Sequence, residues 1–127
     1  MNELIQNLVN ESLIKKCPNQ DLEIAKQKSS YQQLLKRAQT PDLRVQYLAN
    51  YDALLRLVEI YLLNFGYLLG NHPHSAARRI LNCLTPELNI LNLITLRHEV
   101  KKSNHQPTLV DIQNLSLLRE KIEKICL

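Results

Sequence analysis

The chain has 127 residues, 45% apolar and 22% charged, with two glycines, no tryptophan and a formal net charge of +4. That is enough apolar content for one domain around a single core and too much for disorder, and the Leu, Gln, Asn and Lys content points to an all-α protein. The positive charge is scattered, which permits a nucleic-acid or acidic partner without requiring one, and a single Phe with no Trp argues against a base-stacking platform.

A first helix is expected over residues 2–16, with Leu4, Ile5, Leu8, Val9 and Leu13 inward and Cys17-Pro18-Asn19 ending it. Asp21 or Asn19 caps a second helix reaching about Ala38, whose Lys26, Lys28, Lys36 and Arg37 read as a solvated face. Thr40-Pro41-Asp42 is a restart signal, with Thr40 as the cap and Pro41 in the first helical position.

Residues 42–65, DLRVQYLANYDALLRLVEIYLLNF, contain no Gly or Pro and organise the rest. As a helix they would span ~36 Å. Tyr47, Tyr51, Leu54, Val58, Leu62 and Phe65 recur at steps of three and four, and Leu57 and Ile60 add apolar surface opposite. A helix apolar over so much of its circumference is central. Its polar strip is Asp52, Arg56 and Glu59: a solvated rim with one i,i+4 ion pair, or a polar seam at an interface.

Residues 66–74 have loop chemistry, with Gly66 suited to a left-handed helix terminus. Ser75 is expected to cap a short helix to Leu84, and Thr85-Pro86-Glu87 to start a fifth from Glu87 to Lys102 with Leu88, Leu91, Leu93 and Ile94 buried. Residues 103–107 break it. Thr108 and Asp111 resemble a capping box for a last helix carrying Ile112, Leu115, Leu118, Ile122 and Ile125. The short loops suit an up-and-down bundle of four main helices plus one or two short ones, forming a single domain over 1–127.

Cys17, Cys83 and Cys126 are odd in number and far apart, so they read as reduced cysteines without a disulfide framework or zinc site. The N-terminus is amphipathic and acidic, unlike a signal peptide, and no run reaches the ~20 apolar residues of a membrane span. A soluble cytoplasmic protein is expected.

Phosphate-loop, zinc-protease and serine-hydrolase motifs are absent from the sequence. His72 and His74 lack carboxylate or thiol company nearby in sequence, so neither a metal nor a cofactor is expected. Arg78 and Arg79 read as a solvated pair, or alternatively as a phosphate contact. The segment 97–105 gathers Arg97, His98, Lys101, Lys102 and His105 at a helix end. Histidine can carry the 2′-hydroxyl proton in metal-free RNA cleavage, and fixed cations can hold the phosphate. The plain alternative is that basic residues favour helix C-termini.

The order of signals resembles the HEPN family of small helical bundles. The resemblance rests on an opening amphipathic helix, EIAKQKSSYQQLLKRAQ, the long YLANYDALLRLVEIYLLNFGY ending at Gly, and GNHPHSAARRIL behind a His-bearing loop. A helix and loop with an arginine-to-histidine spacing follow, then a final helix, so the resemblance covers nearly the whole chain. It implies a homodimer through the central and fifth helices, and RNA or nucleotide binding by Arg97, Lys101, Lys102, Arg78 and Arg79. Catalytic roles in a metal-independent ribonuclease would fall to Arg97, Lys101 and His105, with the site at the dimer interface.

Seven residues separate Arg97 from His105, and three separate Lys101 from it. Lys102, Asn104 and His105 look like a drifted form of the Arg-Asn pair and Tyr of non-toxin relatives. Family members also pair with a nucleotidyltransferase in toxin–antitoxin systems, so docking on such a partner is the expectation beside catalysis.

Overall fold

The structure is a computed structural model describing residues 2–102 and 105–127. Among these, six helices and two three-residue strands occur, giving an all-α bundle as expected. The helices are α1 (Asn2–Asn10), α2 (Gln20–Arg37), α3 (Leu43–Leu63), α4 (Pro73–Leu84), α5 (Ile90–Lys102) and α6 (Leu109–Cys126). The strands are β1 (Ile14–Lys16) and β2 (Tyr67–Leu69).

α3 is the centre of the molecule: 12 of its 21 residues are buried, including Tyr47, Tyr51, Leu54, Leu57, Val58, Ile60 and Leu62. α2 and α6 make its main contacts, with α4, α5 and β2 completing the surround. Leu8 of α1, Tyr31 of α2, Ile80 of α4 and Leu115 and Ile122 of α6 close the core. Phe65 lies past the end of α3 and is exposed, as is Ile125 at the end of α6.

The first helix stops earlier than its pattern predicts. Leu13 N–H bonds Leu8 O and Ser12 N–H bonds Val9 O, with Ser12 left-handed at φ 59°. That is a Schellman terminus with serine where glycine is usual. The chain then turns into β1, which pairs antiparallel with β2, Ile14 opposite Leu69 and Lys16 opposite Tyr67. Three-residue strands are too short to display a two-residue periodicity, so the sequence showed only helix and loop. Gly66 takes the positive φ expected of it, and Gly70 N–H donates to Leu13 O to extend the ladder.

Four caps differ from expectation. Asn19 stands at the N-cap of α2 but makes no side-chain cap hydrogen bond. The Asp42 carboxylate caps α3 by accepting from Arg44 N and Val45 N, so Pro41 precedes the cap. α4 begins at Pro73, behind a left-handed His72, rather than after Ser75. Thr85 closes α4 by donating to Leu81 O, and α5 starts behind Asn89, whose side chain accepts from Asn92 N. Leu88 falls in the turn before α5; it and Leu91 are exposed instead of buried, and Leu93 and Ile94 are half-buried. The Thr108–Asp111 capping box is present as read.

Inside the bundle, Arg119 of α6 donates to Asn50 Oδ1 at 3.2 Å and to Tyr31 Oη at 2.8 Å. Glu123 lies 3.6 Å from the same guanidinium, so one cation joins α2, α3 and α6. No helix among the described residues is long and apolar enough to cross a membrane.

Candidate functional site

Three helices bring Tyr51, His74, Arg97 and His98 together. Tyr51 lies on the buried stripe of α3, 3% exposed, with its hydroxyl 3.1 Å from His74 Nδ1. His74 is the second residue of α4, directly after Pro73. Proline pre-sets helical φ at a helix's first position, which fixes where the next side chain leaves the backbone. Arg97 and His98 are consecutive on α5: the guanidinium carbon stands 5.2 Å from the Tyr51 ring centroid, and the His98 ring meets His74 edge-on at 6.0 Å.

α3 also sets the position of α5. Tyr47 donates from its hydroxyl to Leu93 O at 3.1 Å. Arg44 donates from Nε to Val100 O at 2.9 Å and from Nη2 to Lys101 O at 3.2 Å, capping the exposed carbonyls at the end of α5.

The electrostatics follow from burial and the sign of the neighbours. Burial pushes the Tyr51 hydroxyl up to about 12 against the opposing charge of Arg97, so it remains a protonated hydrogen-bonding group at neutral pH. His74 is lowered, first by burial and then by Arg97 and His98, with Lys101 adding to the effect and Asp52 opposing it. A neutral imidazole bonded to Tyr51 through Nδ1 has Nε2 left to receive or donate a proton. Among the described residues nothing bonds Nε2. Arg97 Nε is buried without a hydrogen-bond partner. The cluster therefore offers two imidazoles, one fixed cation over an aromatic face and a second cation, Lys101, nearby. Such a set can bind a phosphate and move protons at its oxygens.

The residues singled out from sequence divide. Arg97 is in the cluster and Lys101 acts on it electrostatically. Lys102 is exposed at the end of α5. His105 is exposed, and among the described residues no hydrogen bond, ion pair or ring contact joins it to Arg97 or Lys101; Asn104 lies outside the described residues. Arg79 is ion-paired with Glu11 at 2.6 Å, tying α4 to the end of α1, and Arg78 is half-buried beside it.

The polar strip of α3 is no solvated rim. Arg56 donates to Gln27 Oε1 of α2 at 3.1 Å, and its Nε is buried without a partner. The Glu59 carboxylate accepts from Leu69 N of β2 at 3.1 Å and is raised by burial. Asp52 and Arg56 form no ion pair.

Sequence reasoning missed Tyr51 as a polar group and His74 as more than a rejected metal ligand, and it set His98 beside Arg97 without giving it a role. Tyr51 carried the signal of an inward stripe position, and His98 its place next to Arg97. Nothing local joins His74 to either, because 23 residues separate it from Tyr51. Among the described residues no group of three or more His, Cys, Asp or Glu side chains is placed to hold a metal ion.

A separate groove of about 590 Å³ runs between α5 and α6, floored by Leu93, Leu96 and Leu118 and edged by Leu88, Leu117 and Asn114. His74, Arg97 and His98 are not part of its wall. Compared with known proteins, the chain matches no protein-family model, no curated protein and no solved structure.

Proposed function

We propose that this chain is a HEPN-like RNA-binding protein that holds an RNA phosphate at His74, Arg97 and His98 and is equipped for metal-independent cleavage of the adjacent bond. One observation carries the reading: two imidazoles with ring centres 6.0 Å apart, beside an arginine held over the Tyr51 ring. Cleavage by the 2′-hydroxyl needs one group to take its proton, another to protonate the leaving 5′-oxygen, and a cation for the charge gathering on phosphorus. His74, neutral through burial and its cationic neighbours, serves as the base; the exposed His98 serves as the acid; Arg97 holds the phosphate. His105 gives way to His74 in this assignment because, among the described residues, no hydrogen bond, ion pair or ring contact joins His105 to Arg97.

The test is incubation of structured and single-stranded RNA with purified protein in EDTA, beside His74→Gln and His98→Gln. Cutting to 2′,3′-cyclic phosphate ends by the wild type, reduced ~100-fold or more in each variant, is the expected result. RNA binding without cutting leaves the binding role and removes the catalytic one. Absence of both overturns the proposal.

A second reading is supported by the α5–α6 groove. Leu88 and Leu117, 38% and 64% exposed, both line it, so apolar side chains stand open to solvent along the groove. An exposed apolar patch of this kind suits an isologous pair, and the occupant proposed is a second copy of this chain. Light scattering of the wild type against Leu117→Lys tests it: a dimer that the variant turns into monomer supports this docking role, and a monomeric wild type removes it.

A further inference from the structure

His74 is poised between two proton inventories. Its Nδ1 is engaged by the Tyr51 hydroxyl at 3.1 Å, while its ring meets His98 at 6.0 Å. The groups facing it are Tyr51 and Asp52 from α3, and Arg97, His98 and Lys101 from α5. Only Asp52 among them is negative. Two imidazolium ions at this spacing, beside a guanidinium and an ammonium, repel one another. His74 in the free site therefore gives up its proton more readily than an isolated histidine would.

A phosphodiester supplies the counter-charge that the cluster lacks. Seated between Arg97, His98 and Nε2 of His74, its anionic oxygens offset the fixed cations. They also accept charge-assisted hydrogen bonds from a protonated ring. Both effects favour imidazolium in the bound state.

We propose that RNA binding at this site is proton-linked: the His74–His98 pair takes up a proton as an RNA phosphate docks. The inference rests on the RNA-binding reading above. The proton comes from solvent and no covalent bond changes. The sign follows from linkage: where the free pair is deprotonated and the bound pair protonated, affinity rises as pH falls, by up to about tenfold per pH unit for one proton. Below that window both states carry the proton and the dependence fades. The consequence is a site that grips RNA more tightly under mild acidification and releases it as pH rises.

The experiment is calorimetric titration with a single-stranded 2′-O-methyl oligoribonucleotide, which lacks the hydroxyl needed for cleavage. It runs from about pH 6 to about pH 8, across the ordinary histidine range, at fixed ionic strength and in two buffers of different ionisation enthalpy. The wild type is expected to take up close to one proton and to bind several-fold more tightly at the acid end. His74→Gln and His98→Gln should each lose most of that uptake. His72→Asn, at the left-handed position before Pro73, should keep it.

Wild-type binding with no proton uptake overturns the linkage while leaving RNA binding standing. Loss of uptake in His72→Asn alone overturns it as well. Failure to bind at every pH sinks the RNA-binding reading and this inference with it. Should a glutamine variant not fold, ring-proton NMR titration of the wild type decides: at least one of the His74 and His98 rings must titrate higher with the oligonucleotide than without it, and two unmoved midpoints overturn the proposal.

Discussion

The Tyr51 hydroxyl of α3 and Nδ1 of His74 in α4 lie 3.1 Å apart, the other face of the relationship being Arg97 over the same tyrosine ring. One buried side chain thus orients an imidazole and a guanidinium from two other helices. Tyr51→Phe keeps the ring under Arg97 and removes only the hydrogen bond, so a stability loss of about 1 kcal/mol is expected. Tyr51→Leu also removes the cation–π contact and is expected to lose about 1 kcal/mol more. Urea midpoints of the three proteins measure both steps; equal losses would mean that the ring does not hold Arg97.

Stability should fall on mild acidification because of His74. Its folded value is lowered, so the unfolded chain binds the extra proton first. Its stabilising contribution is fully present above the ordinary histidine value of about 6.5 and is lost as pH falls toward the lowered folded value. His74→Gln should flatten this part of the stability–pH curve, which thermal melts across that window would show. An unchanged slope would assign the dependence elsewhere.

Arg119 is the polar keystone of the bundle. Arg119→Leu leaves the fully buried Tyr31 hydroxyl and the Asn50 carbonyl oxygen without their partner, and a loss of about 2–4 kcal/mol is expected. Adding Tyr31→Phe should recover part of it, since the stranded hydroxyl is then gone. The double-mutant cycle in urea measures that coupling, and strict additivity would contradict the network.

Glu59 works in the opposite sense to His74. Its folded value is raised, so its ionisation opposes folding progressively as pH rises through the interval between the ordinary glutamate value and the raised one. Glu59→Gln can still accept from Leu69 N, and it should be more stable than wild type at neutral pH. Glu59→Leu forfeits that bond and should fall below Glu59→Gln by about 1 kcal/mol. Chemical denaturation of both at neutral pH tests the order.

Ser12→Gly should add roughly 0.5–1 kcal/mol. The serine sits at φ 59° in the Schellman turn, where a Cβ is strained and glycine is not. A raised melting temperature with unchanged circular dichroism is the expected result.

The long central helix was legible because its apolar residues recur at helical spacing over 21 residues, and no neighbour is needed to produce that pattern. The capping box at Thr108 was legible for the same reason, since its partners are three residues apart. β1 and β2 were not, because a strand of three residues exists through its pairing partner, which lies more than 50 residues away. Arg56 and Glu59 read as a solvated strip or an interface seam because hydrophilicity is visible in sequence, whereas Gln27 and Leu69 become their partners only when α2 and β2 fold over them.

The sequence by itself determined an all-α bundle, its central helix and the presence of Arg97 near histidine, since propensity, periodicity and capping act between close neighbours. Only the tertiary structure decided that Arg97 stands over Tyr51 and that His98 meets His74 rather than His105. Those groups come from α3, α4 and α5, and the close approach of three helices is fixed by packing around a shared core, which no local spacing encodes.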